Sequence, residues 1–405
     1  MTPNDPFRMT PQERTASLSL AGLFALRMLG LFIVLPVFAI EAAHYPGGDN
    51  ASLVGFAMGI YGLVQAMLQI PLGLASDRWG RKPVILLGLA VFVLGSVVAM
   101  QADSLMGLLL GRAIQGAGAI SAAVTALLAD VTRPQVRTKA MALVGMSIAA
   151  MFVLSLFLAP IMAEWAGLPG LFALTAALAL AGMLLLFLQV PEPVRQSHDE
   201  WVSTRSHWQT VWRHAELRRL NFGVFSLHAV QIAMWVVIPG VLLQSGWSKG
   251  DHWQLYLPAV MVSILVVGGV LFRLERKGHI RWVLRFSVAL LVCVQLGWWW
   301  ATRGAQHDGV STPVALALLT GFFVAFNALE SSQPSLTSKM APAHLRGLAL
   351  GVFNTLQSLG FFIGGALGGA LLQAAGPGAV FLVCAAWLVL WLFVTWNLRT
   401  EHAQH

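Results

Sequence analysis

Four ionisable side chains, Arg27, Arg112, His228 and Glu330, interrupt stretches of sequence that are otherwise almost entirely apolar. Keeping such a group in an apolar setting is costly, so each of them is first interpreted as functional. Glu330 is the only acidic residue well inside such a stretch, and a carboxyl group or an imidazole held there can bind and release a proton. We therefore treat these four residues as the candidates for proton coupling.

Simpler interpretations of the same residues stay open. Glu330 could make a structural hydrogen bond or pair with Arg27, and His228 could be a hydrogen-bonded interior residue. Arg112 could lie near one end of its stretch and extend its guanidinium to the surface.

Uncharged polar side chains recur at helical spacing in the same stretches. Tyr61, Gln65 and Gln69 are four residues apart, and residues at this spacing share one helix face. A few polar points in an apolar wall suit a cavity for amphiphilic ligands. The candidates for lining such a cavity are Tyr61, Gln65, Gln69, Gln115, Gln231, Trp235, Asn327, Asn354 and Gln357.

The apolar stretches themselves indicate membrane-crossing helices. The chain has 405 residues, of which 57% are hydrophobic and 10% charged, whereas soluble chains carry about 25% charged residues. A crossing needs about 20 apolar residues, and helices satisfy their backbone groups internally. We predict an all-α polytopic membrane protein with about twelve transmembrane helices. They lie near 18–40, 53–74, 84–101, 105–128, 140–163, 168–190, 220–244, 254–272, 282–301, 312–337, 348–374 and 378–398.

The basic residues predict how these helices are oriented. Most of the 25 Lys and Arg residues fall at the termini and in alternate connections, which the positive-inside rule assigns to the cytoplasm. We predict a multi-pass protein of the bacterial inner membrane with both termini cytoplasmic. The predicted divisions are an N-terminal segment 1–17, a six-helix bundle 18–190, a linker 191–219, a second six-helix bundle 220–398 and a tail 399–405.

Two corresponding stretches suggest an internal repeat. Residues 130–143 and 339–352 each follow the fourth predicted helix of their half, and each carries an arginine seven positions after a charged residue. Two pseudo-symmetric halves of this kind are a common transporter plan, with the substrate site at the bilayer midplane between them.

The loop after the second predicted helix carries a distinctive motif, Gly-Leu-Ala-Ser-Asp-Arg-Trp-Gly-Arg-Lys at 73–82. Asp77 could accept hydrogen bonds from the N-terminus of a neighbouring helix, and Arg81 could pair with Asp130. The pattern resembles the signature of the major facilitator superfamily. The resemblance implies a gate on the cytoplasmic side that closes against residues 346–350. Its residues would be Gly73, Asp77, Arg78, Gly80, Arg81, Lys82 and Asp130.

Three further stretches make the resemblance more specific. Residues 112–119, Arg-Ala-Ile-Gln-Gly-Ala-Gly-Ala, resemble a motif of proton-coupled members, and the residues around Arg27 and Glu330 resemble the YajR-like subgroup of drug/proton antiporters. The resemblance implies proton-coupled efflux of small amphiphilic compounds by alternating access. The protein for which that subgroup is named carries a soluble C-terminal domain, and because the sequence stops at His405 we expect this chain to lack it.

Two other functions stay open. The chain could transport a polar metabolite such as a sugar or an amino acid, either coupled to protons or as a uniporter. A membrane-embedded enzyme is a remote alternative, because no His-Glu-x-x-His or Gly-x-Ser-x-Gly sequence is present. We expect no cofactor, no metal and no nucleic acid. The expected partners are the lipid bilayer, a small-molecule substrate and protons, and the chain is expected to be monomeric.

Overall fold

The computed structural model describes residues 9–190, 205–271, 273–274, 277–304, 309–342, 345–396 and 398. Every regular element in these residues is helical, as predicted. The helices are α1 Pro11–Phe32, α2 Leu35–Ala42, α3 Ala51–Trp79, α4 Arg81–Met100, α5 Leu105–Ala117, α6 Ser121–Asp130, α7 Pro134–Gln189, α8 Arg205–Arg213, α9 Ala215–Gln244, α10 Trp253–Val266, α11 Ile280–Gly304, α12 Thr312–Met340 and α13 Arg346–Thr395. A 3-10 turn, Lys249–Asp251, precedes α10, and a π-helical turn, Val267–Leu271, follows it.

Ten segments of the described chain are long and apolar enough to cross a membrane, but two of them are far too long for one crossing. These two span 55 and 50 residues, whereas one crossing needs about 20. Each contains one non-helical glycine with a positive φ, Gly167 at 59° in α7 and Gly376 at 76° in α13. Glycine adopts a positive φ without the steric cost that a side chain imposes, so the chain can turn at these two residues.

Contacts with neighbouring helices show that the chain reverses direction at both glycines. Before Gly167, successive residues of α7 contact residues of increasing number in α1. After Gly167, they contact residues of decreasing number. These contacts join Arg133 to Glu13 and Ser147 to Ala21, then Thr175 to Gly30 and Gln189 to Ser19. In α13 the close contacts with α9 join Gly360 to Phe225 and Gly368 to Ala233, then Trp387 to Ser226. The prediction of about twelve crossings is therefore confirmed.

We number the crossings as spans 1 to 12. Span 1 consists of α1 and α2, span 2 of α3, span 3 of α4, and span 4 of α5 and α6. The two parts of α7 are spans 5 and 6, helices α9 to α12 are spans 7 to 10, and the two parts of α13 are spans 11 and 12. The predicted N-terminal segment is described from residue 9 and the predicted linker from residue 205, while the predicted tail 399–405 lies outside the described residues.

Span 4 differs from its prediction, because it is two helices rather than one. The helix is interrupted between Ala117 and Ser121, where span 4 crosses span 3 closely. A Cβ atom at Gly118 would lie 2.5 Å from the carbonyl oxygen of Gly88. The interruption leaves the Gly118 carbonyl without a partner in its own helix, and Arg27 Nη2 lies 3.4 Å from that oxygen.

The two halves, spans 1–6 and spans 7–12, meet through glycines of spans 2 and 11. A Cβ atom at Gly55 would lie 2.2 Å from the Gly365 carbonyl oxygen, and one at Gly62 would lie 2.4 Å from the Ser358 carbonyl oxygen. Only residues without a side chain allow helix backbones to approach this closely. The close packing of spans 2 and 11 therefore depends on glycine at these positions.

Two polar contacts also join the halves, and both lie at one end of the molecule. Lys249 Nζ lies 2.6 Å from Glu41 Oε1, and the Ala51 backbone nitrogen donates to Gln373 Oε1 at 2.7 Å. We call the end that contains these four residues the closed end.

The opposite end, which contains Asp77, Asp130 and Arg346, is called the motif end. Cβ atoms at Gly347 and Gly351 of span 11 would have no neighbour within 4 Å. In the described part of the chain, no hydrogen bond or ion pair joins residues 346–350 to the 73–82 motif. The predicted contact between these two stretches is therefore not made in this conformation, in which the halves are packed together at the closed end instead.

Candidate functional site

The candidate proton site joins spans 7, 10 and 11 in the second half. His228 Nε2 lies 3.2 Å from Glu330 Oε2. The amide nitrogen of Gln357 lies 2.7 Å from His228 Nε2 and 3.4 Å from Glu330 Oε1. Three predicted site residues from three different helices therefore form one cluster, which we call the His228–Glu330–Gln357 cluster.

The hydrogen bonds of His228 determine how many protons this cluster can exchange. Nδ1 lies 2.8 Å from the Val224 carbonyl oxygen, which can only accept, so Nδ1 carries a hydrogen. Nε2 and the Glu330 oxygen attract each other only when a proton lies between them, on the imidazole or on the carboxyl. When that proton leaves, Nε2 can accept a hydrogen bond from the Gln357 amide instead. The geometry thus has room for one proton between His228 Nε2 and Glu330 Oε2.

Aromatic rings separate this cluster from the closed end. Span 10 begins at the closed end, since Val310 just before it donates to Ser245 after span 7 at 2.8 Å. Phe326 lies one turn before Glu330 on span 10, and Phe152 of span 5 reaches it across the interface with 6.3 Å between ring centres. The side chain of Glu330 is nevertheless 39% exposed.

In the first half, Tyr61 lies between two buried arginines. Arg27 Nη2 donates to the Tyr61 hydroxyl at 3.0 Å, and the Arg112 guanidinium lies 5.0 Å from the centre of the Tyr61 ring. Arg27 is 1% exposed and Arg112 is 2% exposed. Among the described residues, no carboxylate lies within ion-pair distance of either. The first half thus buries two positive charges, and the second half contains the acid.

Two of the alternatives from the sequence are wrong. Glu330 does not pair with Arg27, because Arg27 donates to Tyr61 and Ser121 in the first half while Glu330 contacts His228. Arg112 does not extend to the surface, because its guanidinium donates to Gln115 Oε1 at 3.0 Å inside the bundle. The Met58 carbonyl oxygen, 3.4 Å from Arg112 Nη2, is its second acceptor inside the bundle.

The other predicted cavity residues lie on different helices and have different partners. Gln65 and Gln69 are buried in span 2 and hydrogen-bonded to each other at 3.4 Å, and Gln115 donates to Ser96 inside the first half. Asn327 donates to Ser263 of span 8 at 2.7 Å. Gln231 and Trp235 are buried in span 7, and Asn354 is half-buried on span 11, one turn before Gln357. The structure therefore distributes these residues over several helices instead of bringing them all to one wall.

The motif at 73–82 forms an ion-pair cluster. Arg81 donates to Asp130 at 3.0 Å, the contact that the sequence predicted, and to the Ser76 hydroxyl at 2.8 Å. It also pairs with Asp77, one turn earlier. Asp77 was expected to accept from the N-terminus of a neighbouring helix, but its observed partner is Arg81. Arg78 is exposed and Lys82 half-buried at the motif end.

The two glycines of the motif have different conformational requirements. Gly80 has φ 98° and ψ 149°, a backbone conformation that costs other residues about 1–3 kcal/mol. We expect Gly80→Ala to destabilise the protein by about this amount, measured as a lower unfolding temperature in detergent. Gly73→Ala is the matched control, because a Cβ atom at Gly73 would only touch Ala122 at 3.4 Å. Equal unfolding temperatures for the two variants would contradict the expectation.

Comparison with known proteins identifies the family. The sequence profile of the Major Facilitator Superfamily matches residues 20–365. The chain belongs to the major facilitator superfamily. It is 41% identical to the inner membrane transport protein YajR of Escherichia coli strain K12 over 394 residues, which cover 97% of this chain and 85% of YajR. It is 25% identical to multidrug resistance protein 2 of Bacillus subtilis strain 168, with 89% of each chain covered. The crystal structure of a D-xylose–proton symporter shares the fold, with a TM-score of 0.74, 16% identity, and coverage of 95% of this chain and 98% of the other.

This member of the superfamily is accordingly a multi-pass membrane transporter of the secondary type. The structure adds two features that the sequence did not reveal. The sequence did not reveal the contact of Phe152 with Phe326. In an apolar helix, an aromatic residue at the interface between the halves cannot be distinguished by sequence from one that faces lipid. The Glu41–Lys249 pair had a detectable signal, since the two residues carry opposite charge and lie at the end of span 1 and just after span 7, which correspond in the two halves.

Proposed function

We propose that this transporter exports small amphiphilic compounds in exchange for protons, by alternating access. The observation that carries the proposal is the His228–Glu330–Gln357 cluster, in which His228 Nε2 and Glu330 Oε2 lie 3.2 Å apart, close enough to share a proton. A carboxyl group inside a span is a functional group by default, and an exchangeable proton there can be tied to the conformational cycle.

The two ends would open in turn. We propose that the motif end is cytoplasmic, because the basic connections lie there. In the present conformation the proton of the cluster would be released to the cytoplasm. The 73–82 motif and Asp130 would then close against residues 346–350, while the closed end separates and exposes the cluster to the outside. The predicted division into bundles 18–190 and 220–398 gives the two rigid bodies for this motion.

The relatives support this proposal only in general terms. The name of multidrug resistance protein 2 concerns that protein, and it favours amphiphilic substrates for this one. The D-xylose–proton symporter is, by its name, a proton-coupled protein, and it has the same fold as this chain. A polar substrate is a second candidate. Four polar side chains, Gln65, Gln69, Asn354 and Gln357, lie on spans 2 and 11, which meet between the two halves.

The test uses purified protein in liposomes with an imposed pH gradient and a pH-sensitive dye inside. Tetraphenylphosphonium, an antibiotic such as norfloxacin, D-xylose and alanine are added in turn. We expect proton movement with the amphiphilic compounds and none with the sugar or the amino acid. Proton movement triggered only by xylose or alanine would favour the second candidate. Transport without any proton movement would contradict proton coupling.

A further inference from the structure

A cleft lies at the motif end of the second half, between spans 7, 9, 10 and 12. It encloses about 380 Å³ of empty space, part of which is open to the surroundings. Most of its wall is apolar, built from Leu220, Leu284, Val288, Leu329 and Leu398. The cleft is separate from the His228–Glu330–Gln357 cluster, none of whose residues lines it.

The cleft is also lined by three arginines, Arg219, Arg281 and Arg285, and no described acidic residue contributes to its wall. Arg219 pairs with Glu216 at 2.8 Å. The Arg285 guanidinium lies 4.7 Å from the centre of the Trp396 ring and donates to the Trp396 carbonyl. Its position is therefore held by contacts outside the cleft.

Gln333 contributes a polar group to the interior of the cleft. Its side chain is 2% exposed, and neither its oxygen nor its nitrogen has a hydrogen-bond partner. A buried amide without partners is unfavourable, because it has given up its hydrogen bonds to water. A Cβ atom at Gly223 would lie 2.7 Å from Gln333 Oε1, so glycine at that position leaves room for the amide. A ligand with hydroxyl groups would supply the missing partners.

The outer faces of the neighbouring helices are suited to lipid. Trp282 and Phe286, on the helix that carries Arg281 and Arg285, are 66% and 68% exposed, and Phe393 of span 12 is 74% exposed. Tryptophan is enriched where membrane helices meet the headgroup region, and basic pockets between such helices bind anionic headgroups. The cleft thus adjoins a surface that contacts the bilayer.

We propose that this cleft binds an anionic phospholipid with a hydroxyl-bearing headgroup, of the phosphatidylglycerol type. The phosphate is held by the arginines, the headgroup hydroxyls reach Gln333, and an acyl chain lies against the leucines. This inference is independent of the proposed substrate and of proton coupling.

The test measures lipid binding to the purified full chain by native mass spectrometry, with phosphatidylglycerol and phosphatidylcholine titrated separately. We expect tighter binding of phosphatidylglycerol. Each arginine near the membrane surface is worth about 1 kcal/mol, so Arg281→Gln should weaken that binding about fivefold. The matched control is Arg303→Gln, at the other end of the same helix, whose guanidinium lies over the Trp299 ring at 4.3 Å. The control should bind as the native chain does.

A second variant, Gln333→Leu, tests the headgroup assignment without removing a charge. We expect it to weaken the binding of phosphatidylglycerol but not of phosphatidic acid, which lacks the headgroup hydroxyls. Equal binding of phosphatidylglycerol and phosphatidylcholine would overturn the proposal, as would equal losses in Arg281→Gln and Arg303→Gln. If acyl-free glycerophosphoglycerol competes as well as the lipid does, the site binds a soluble anion and the lipid assignment is wrong.

Discussion

Replacing Glu330 by Gln is expected to abolish uphill transport while leaving downhill exchange of the substrate intact. The amide keeps the size of the carboxyl group and can still contact His228 and Gln357, but it cannot carry the exchangeable proton. A gradient of about one pH unit corresponds to about 1.4 kcal/mol, which sustains about a tenfold substrate gradient for one-to-one exchange. In Glu330→Gln that ratio should fall to about one.

The measurement compares accumulation and counterflow in the same liposomes, with the compound that moved protons in the native chain. Ser331→Ala is the matched control, because the Ser331 hydroxyl bonds only to carbonyl oxygens of its own helix, at 2.8 and 3.1 Å. We expect Ser331→Ala to accumulate substrate normally. If Glu330→Gln also accumulates substrate against its gradient, Glu330 does not carry the coupling proton.

Replacing Gly365 by Leu is expected to open the closed end. A Cβ atom at Gly365 would already lie 2.4 Å from the Gly55 carbonyl oxygen, so spans 2 and 11 must separate to accept any side chain. Overpacking a tight contact costs about 1–3 kcal/mol, which shifts a two-state equilibrium by about 5- to 150-fold. Transport should fall accordingly, because the cycle needs both ends to close.

The separation can be measured directly by electron paramagnetic resonance. Spin labels on cysteines introduced at His44 and Gln244, both exposed near the closed end, report the distance between the two halves after Cys293 and Cys384 are replaced. Gly365→Leu should shift this distance to longer values. Gly351→Leu, on the same span, should not, since its Cβ atom has no neighbour within 4 Å. An unchanged distance in Gly365→Leu would show that the glycine contact does not hold this end closed.

The membrane fold could be predicted because its causes are local in sequence. A crossing helix satisfies its own backbone hydrogen bonds and needs only a run of apolar residues, so length and composition locate it. The same logic located the intramembrane charges, because Glu330 and His228 stand out in apolar surroundings. The Arg81–Asp130 contact was predicted from two loops that follow spans 2 and 4, which carry opposite charges at the same end of the fold.

Partners between distant helices could not be predicted. The sequence left open a pair between Glu330 and Arg27. In the folded chain Glu330 lies beside His228 instead, and Arg27 donates to the Tyr61 hydroxyl and the Gly118 carbonyl. The interruption of span 4 also escaped prediction, since it arises where Gly118 meets Gly88 of another helix.

By itself, the sequence determined that this chain crosses a membrane about twelve times, that it resembles the major facilitator superfamily, and which few charges lie inside the membrane. These properties follow from the composition of short segments. Only the tertiary structure decided that the closed end is held together by glycine packing and by Glu41 with Lys249, and that Glu330 and His228 lie side by side. These depend on distances between residues far apart in the chain, which composition does not specify.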